Sequence, residues 1–233
     1  AKDVANFVGE PIAVVFGETL DEAKEGAEKV KVDYKVLKAV VDPADAMKSE
    51  AIHDGVDKNL CYDWLLGDRK AVDEAFAKAD KIIKVDLINN RLVPNAMEPR
   101  ACVVDYNTAS EEITLYTTSQ NPHLSRLVMS AFGGVAPENK LRVVAPDVGG
   151  GFGSKINVYN EEIVCSWAVK KIERPIKWVA ERTESFLTDT HGRDHITHAE
   201  LAVTNDGKFL GFKNETIANL GAYARVFGTV TPT

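Results

Sequence analysis

The 233-residue chain has no long apolar run, few cysteines and no basic tract. A membrane-spanning helix needs roughly 20 consecutive apolar residues, and no stretch approaches that, so nothing in the chain is expected to cross a bilayer. Its three cysteines, Cys61, Cys102 and Cys165, lie far apart, without Cys-x-x-Cys or Cys/His ligand spacing. That pattern disfavours zinc and a cysteine-bound iron–sulfur cluster within this chain. Scattered thiols in odd number read as reduced cysteines of a cytoplasmic protein. Lys and Arg number 28 against 35 Asp and Glu, for a net charge of −7, and the cations are dispersed. Nucleic acid is therefore not an expected partner, because its binding leaves a basic footprint. No basic segment followed by an apolar one opens the chain, so no signal peptide is visible. The chain also starts without methionine, and a truncated start would hide one.

What is present is ordinary for a globular protein: 45% hydrophobic and 27% charged residues, a composition that rules out disorder, collagen-like repeats and a disulfide miniprotein. The length corresponds to roughly 1.6 domains. Pro11–Phe16 is an apolar run of buried-strand type, and Lys31–Lys35 alternates like a second strand. Between them Thr19 and Glu22 form a capping box that opens a helix. These three pieces predict a βαβ unit, with antiparallel pairings open as well. Residues 44–80 are looser, with short helices expected near Pro43–Ser49 and Val72–Lys78. Beyond them strands are expected at 81–89, 100–106, 113–117, 140–145 and 175–179, and helices at 122–132 and 158–171. A hairpin of 195–204 and 208–218 turns at Asn205-Asp206-Gly207. The class is α+β.

The most informative stretch is Ala145-Pro146-Asp147-Val148-Gly149-Gly150-Gly151-Phe152-Gly153-Ser154-Lys155, between an expected strand and an expected helix. Four glycines in five positions let backbone N–H groups face an anion without obstruction by Cβ atoms, and a helix start nearby would add its dipole. A phosphate-bearing or oxyanionic ligand is the inference; a tight strand–helix connection without ligand explains the same composition. Walker A fails because Ser154 precedes Lys155 and Ile156 follows, and the dinucleotide pattern GxGxxG fails in either frame. A second cluster, Thr118-Ser119-Gln120-Asn121-Pro122-His123, places a carboxamide at a strand end, or simply caps a helix with Ser119 or Asn121 and Pro122. A third, Arg91 to Arg100, holds Glu98 among prolines and asparagines. It reads as a rigid loop in which Arg91 or Arg100 keeps Glu98 ionised. His191, His195 and His198 do not suggest a metal, since His195 and His198 would face opposite sides of a strand.

Taken together, Arg91–Arg100, Thr118–His123 and Ala145–Lys155 resemble, in order and spacing, the molybdenum-binding subunit of the xanthine dehydrogenase/aldehyde oxidase family. The nearest branch is the large subunit of aerobic carbon monoxide dehydrogenase. Asp189–His195 and Asn219–Tyr223 fit the same branch, and Val8–Val15 resembles the later part of the family's hammerhead domain. The resemblance implies a truncated α/β hammerhead-type piece over residues 1–43, a connector over 44–80 and the first part of a molybdopterin-binding domain over 81–233. It also implies that Gln120 hydrogen-bonds an oxygen ligand of molybdenum without touching the metal. Gly150, Gly151, Phe152 and Gly153 would lie against the pterin cofactor. Phe152 and Ile156 would line the substrate pocket.

The implied cofactor is molybdopterin in its cytosine dinucleotide form with molybdenum. The implied chemistry transfers a water-derived oxygen to a small-molecule substrate. Electrons would pass to iron–sulfur clusters and FAD on partner subunits. Ile156 stands where xanthine dehydrogenases place a purine-contacting glutamate, which argues against purines and leaves CO, an aldehyde or a heterocycle. None of the cysteines matches the copper-binding cysteine of CO dehydrogenases. The family's catalytic glutamate has no counterpart here, so no catalytic residue is assigned and the chain is expected to be inactive without the remainder of the subunit. A non-redox nucleotide- or phosphate-binding module, or a scaffold piece that contacts partner subunits, stands as the alternative.

Overall fold

A computed structural model describes residues 3–223. In chain order they form α1 (Leu20–Glu28), α2 (Pro43–Ala46), α3 (Arg69–Ala77), β1 (Lys81–Asn89), β2 (Ala101–Asn107), β3 (Glu112–Thr117), α4 (Pro122–Ala131), β4 (Leu141–Val144), α5 (Asn160–Ile172), β5 (Ile176–Val179), α6 (Arg182–Thr188), β6 (His195–Val203) and β7 (Phe209–Ala218). Single 3₁₀ turns occur at Asp57–Asn59, Glu138–Lys140 and Ser154–Ile156. The final ten residues of the expected 81–233 region lie outside the described residues. Two compact units divide the chain, one of residues 3–32 and 93–191 and the other of 33–92 and 192–223.

The first unit is built on a four-stranded sheet of order β4-β3-β2-β5. β2 pairs antiparallel with β3 and with β5, whereas β3 and β4 run parallel. The β2–β3 turn is held by Asn107, whose Oδ1 accepts from the N–H groups of Ala109 and Ser110 at 3.0 and 3.1 Å. Parallel neighbours need a crossover, and α4 supplies it. Along β3, Ile113, Leu115 and Thr117 are buried, and along β2, Cys102 and Val104. This is the period-2 pattern of strands with one face on a core. Opposite them lie Met129 of α4 and Cys165, Ala168 and Val169 of α5, with Val135, Leu141 and Ile176 closing the cluster. Each fully buried aliphatic side chain here contributes about 1.5–3 kcal/mol.

The topology settles where loops meet. Because β3 and β4 are parallel, their C-terminal ends lie at the same edge. β2 runs antiparallel to β3 with Cys102 opposite Thr117, so it starts at that edge too. The segments 95–100, 118–121 and 145–157 all reach this edge, which in open sheets is where ligands bind.

The expected strands at Pro11–Phe16 and Lys31–Lys35 are not formed, and neither is the βαβ unit between them. An apolar run becomes a strand only when a neighbouring ladder satisfies its backbone. No described residue offers these segments one, and Ile12, Val14 and Tyr34 stay exposed. α1 does form, with the reciprocal Thr19–Glu22 capping box in place, but buries no residue. α6, which carries no apolar periodicity of its own, was not anticipated; its N-terminus is closed by Glu181 and Glu184.

The second unit holds an antiparallel sheet of order β1-β6-β7. Its hairpin turns through Gly207 at φ 87°, with Thr204 N–H donating to Lys208 O at 3.0 Å. α3 packs on β7 so closely that a Cβ at Gly211 would meet Ala75 at 3.1 Å. Arg91 gathers the unit's other motif residues: Asp194 at 3.5 Å and the Tyr223 hydroxyl at 3.3 Å. Asn219 donates to Asp194 at 2.8 Å. His195 and His198 lie on β6 opposite Asn89 and Asp86, and His198 Nδ1 pairs with Asp86 at 2.5 Å.

Candidate cofactor site

The site forms where the three loops of the first unit converge. Gln120 follows the end of β3 after two residues, Thr118 and Ser119. Its backbone N–H donates to Lys155 O at 2.9 Å. Its side-chain oxygen Oε1 accepts from the N–H groups of Gly153 at 3.1 Å and Lys155 at 3.2 Å. A carboxamide offers one accepting and one donating end. With Oε1 occupied twice by backbone donors, the exposed end is the donor Nε2.

The glycine-rich loop wraps this carboxamide, and its glycines have separate reasons. Gly150 and Gly153 adopt φ 94° and 93°, in the left-handed region where a Cβ is strained. Gly149 and Gly151 give room instead. A Cβ at Gly149 would come within 2.5 Å of the Glu98 Cβ, and one at Gly151 would overlap the Gln120 carboxamide. Several loop N–H groups are consumed internally: Gly149 by Glu98, Gly153 and Lys155 by Gln120, Ser154 by Gly151 O at 3.0 Å. Those of Gly150, Gly151 and Phe152 donate to nothing among the described residues. Gly151 is a buried residue, and its N–H is open to an acceptor from a ligand or an ordered water. Phe152 itself sits at φ 51° and is 74% exposed. Ile156, half-buried, ends the 3₁₀ turn that follows.

The loop's other edge is fixed by Glu98. Its Oε2 accepts from Gly149 N at 2.7 Å and from the Lys155 ammonium at 2.9 Å. Partial burial raises the Glu98 pKa, but these two donors outweigh it and hold the carboxyl below its usual value. The expected pairing with Arg91 or Arg100 is therefore replaced by one with Lys155. Arg100 is committed elsewhere. Its buried guanidinium pairs with Asp189 at 2.5 Å, reaches Glu161 at 3.2 Å and donates to Thr188 at 2.9 Å. It also lies 3.6 Å from the centroid of the Tyr159 ring. Burial pulls its pKa down, yet Glu161 and Asp189 more than restore it, so it stays charged.

Tyr159 ties this network to the loop. Its hydroxyl donates to Ser154 O at 2.6 Å and accepts from Thr190 N at 3.0 Å. Glu162, wholly buried, takes Tyr159 N at 2.9 Å and the Thr117 hydroxyl at 2.5 Å. Desolvation raises its pKa against the opposing pull of those donors. The expected help from a helix dipole is absent: α5 starts only at Asn160, and Glu161 and Glu162 occupy its first turn.

Sequence reasoning had singled out Gln120, Gly150, Gly151, Phe152, Gly153 and Ile156, and the structure places all six on two adjoining loops. It missed Lys155, Tyr159 and Arg100 as organisers. The sequence offers little to find them by: it suggests an ion pair for Glu98, but the partner lies 57 positions away rather than in the same loop.

A family model described as the molybdopterin cofactor-binding domain matches residues 52–233. The carbon monoxide dehydrogenase large chain of Hydrogenophaga pseudoflava is 35% identical over 237 residues, covering 96% of this chain and 29% of the relative. Among solved structures, the reconstituted CO dehydrogenase from Oligotropha carboxidovorans superposes with a TM-score of 0.78 at 34% identity, covering 84% of this chain and 26% of that one. Quinoline 2-oxidoreductase from Pseudomonas putida 86 gives 0.79 at 28% identity, covering 89% and 26%. The chain thus spans under a third of the length of these relatives. No helix among the described residues is long and apolar enough to cross a membrane. With the match running through all three loops of the site, the chain belongs to the molybdopterin cofactor-binding domain family, and CO dehydrogenase large chains are among its relatives.

Proposed function

We propose that this chain forms one wall of the molybdopterin site of a molybdenum hydroxylase related to CO dehydrogenases and aldehyde oxidoreductases. The observation that carries the reading is the pairing of a doubly anchored Gln120 carboxamide with the free N–H groups of Gly150, Gly151 and Phe152. These are four donors on adjoining loops that the described residues leave without an acceptor, and they fit a cofactor rich in oxygen acceptors. When bound, the cofactor supplies the redox chemistry of oxygen transfer from water to substrate. The chain's own residues bind and orient. The Gly150–Phe152 backbone would hold the cofactor, Gln120 Nε2 would donate to one of its oxygen acceptors near the metal without touching the metal, and Gly153 keeps the loop in its turn. The exposed Phe152 ring and the Ile156 side chain exclude water from the substrate pocket, and Ile156 offers no carboxylate to a purine. An aldehyde, CO or a small aromatic heterocycle suits such a pocket.

The cytosine dinucleotide form of the cofactor belongs to this proposal. So do the remainder of the molybdenum subunit as the source of the catalytic base, partner subunits carrying iron–sulfur clusters and FAD, a cytoplasmic location, and the division into residues 1–43, 44–80 and 81–233. Metal and nucleotide analysis of the complete enzyme tests it. One molybdenum and one acid-released cytosine nucleotide per assembled unit are expected, and Gln120→Ala should lower kcat by about 10²–10³, the usual cost of losing one preorganised donor. A folded, assembled enzyme without molybdenum, or unaltered turnover in Gln120→Ala, refutes the reading.

A further inference from the structure

Lys155 is a deeply buried cation of the first unit, beside Arg100, and the binding role leaves it unused. Its side chain is 2% exposed, and an ammonium so buried is tolerated only when paired. Glu98 Oε2 pairs with it at 2.9 Å and, through the same oxygen, accepts Gly149 N at 2.7 Å. The Lys155 backbone meanwhile exchanges hydrogen bonds with Gln120, accepting from Gln120 N at 2.9 Å and donating to its Oε1 at 3.2 Å. One residue thus joins the carboxylate that closes the start of the glycine loop to the carboxamide enclosed by its end.

We propose that Lys155 and Glu98 are positioning residues that hold the Gln120 carboxamide in one of its two orientations, Oε1 inward and Nε2 outward. The inference rests on the reading of Gln120 as a donor to the bound cofactor. A carboxamide can rotate by half a turn at little intrinsic cost, and the rotated form would aim an acceptor at the cofactor's oxygens. What forbids rotation is the pair of N–H groups of Gly153 and Lys155 on Oε1, since the rotated amide would place a donor against two donors. Those N–H groups stay put because the Lys155 side chain is drawn to Glu98, and Glu98 also pins Gly149. The clamp closes the loop at both ends, Gly149 and Lys155, and leaves the N–H groups of Gly150, Gly151 and Phe152 without an acceptor among the described residues.

The test uses the full subunit in its assembled enzyme, with Lys155→Met, Glu98→Gln and the double variant. In Lys155→Met, hydrogen exchange at the Gly149, Gly153 and Lys155 amides should accelerate at least tenfold while the β3 amides keep their protection. Its kcat should fall at least tenfold with KM and molybdenum content retained. The double variant, which has no lone buried charge, should exchange more slowly in the loop than Glu98→Gln. Wild-type exchange and kcat in Lys155→Met overturn the proposal. So does equal loss of protection in the loop and in β3, which marks a pair that only holds the core together. If Glu98→Gln fails to fold, Lys155→Met decides alone, because it buries no unpaired charge. If the wild-type enzyme carries no molybdenum, the cofactor reading falls, and loop exchange in Lys155→Met still judges the clamp.

Discussion

Replacing Gly151 by alanine separates a glycine needed for space from one needed for its backbone angle. Its φ lies outside the left-handed region, so a methyl group meets no backbone strain. The obstacle is Gln120, whose Cδ and Cγ would lie 2.5 and 2.7 Å from the new Cβ, well inside ordinary van der Waals contact. Either the loop retreats or the carboxamide leaves. The carboxamide is the flexible partner, and its departure breaks the bonds from Gly153 N and Lys155 N. At about 0.5–1.5 kcal/mol each, the loss is about 1–3 kcal/mol. The same displacement removes Nε2 from the site, so turnover should fall by about 10²–10³. A double-mutant cycle with Gln120→Ala is the decisive assay, read by chemical denaturation and by kcat of the complete enzyme. With Gln120 already shortened, Gly151→Ala has nothing to displace and should cost almost nothing further. Additive losses across the cycle would refute the reasoning, because they would mean that Gly151 acts without Gln120.

Ile113→Ala removes a side chain with no exposed surface and should destabilise the fold by about 2–5 kcal/mol in denaturant titration; a loss below 1 kcal/mol would mean that the four-stranded sheet is not the core. Arg100→Met leaves Asp189 and Glu161 facing each other without their cation, at a cost of about 3–5 kcal/mol, and the loss should shrink when Asp189→Asn is added; an unchanged loss would show that stacking on Tyr159, not charge, is what matters. Glu162 has its pKa raised in the fold, so the folded state holds its proton more tightly than the unfolded one. Its stability contribution is complete below the ordinary carboxyl value of 4.5 and is lost as pH rises toward the raised value. Glu162→Gln should therefore gain on the wild type in thermal unfolding as pH increases from 4 to 7, and parallel curves would contradict the assignment.

Strands 101–107 and 112–117 were legible because their apolar residues alternate over a single covered face, and α1 because Thr19 and Glu22 spell its cap. The same logic overreached at Pro11–Phe16. Strand propensity there is real, but pairing is a property of neighbours, and none of the described residues supplies one. The loops of the site were legible as candidates, since glycine clustering and an isolated carboxamide at a strand end are local signals. How they join was not, because it follows from a parallel β3/β4 pair and an antiparallel β2 that bring residues 98, 120 and 155 to one edge. Local pattern could equally have matched Glu98 with Arg91 or Arg100, which lie closer in sequence. Only the three-dimensional demand of Asp189 and Glu161 on Arg100, and the burial of Lys155, decide the matter.

That distribution of charge also bears on which ligand the site favours. A loop that captures free phosphate relies on excess positive potential from lysines, arginines or a helix N-terminus. Here Lys155 is cancelled by Glu98, Arg100 by Asp189 and Glu161, and α5 opens with two glutamates. What remains is directional: three backbone N–H groups and one amide, fixed in place and close to neutral overall. Such a surface discriminates poorly by charge and sharply by the placement of acceptor oxygens. It suits a large cofactor held by other contacts as well, whose oxygens are brought to the loop rather than attracted to it. A mobile phosphate would gain little from the same four donors, and for this reason the cofactor reading is favoured over a simple phosphate-binding module.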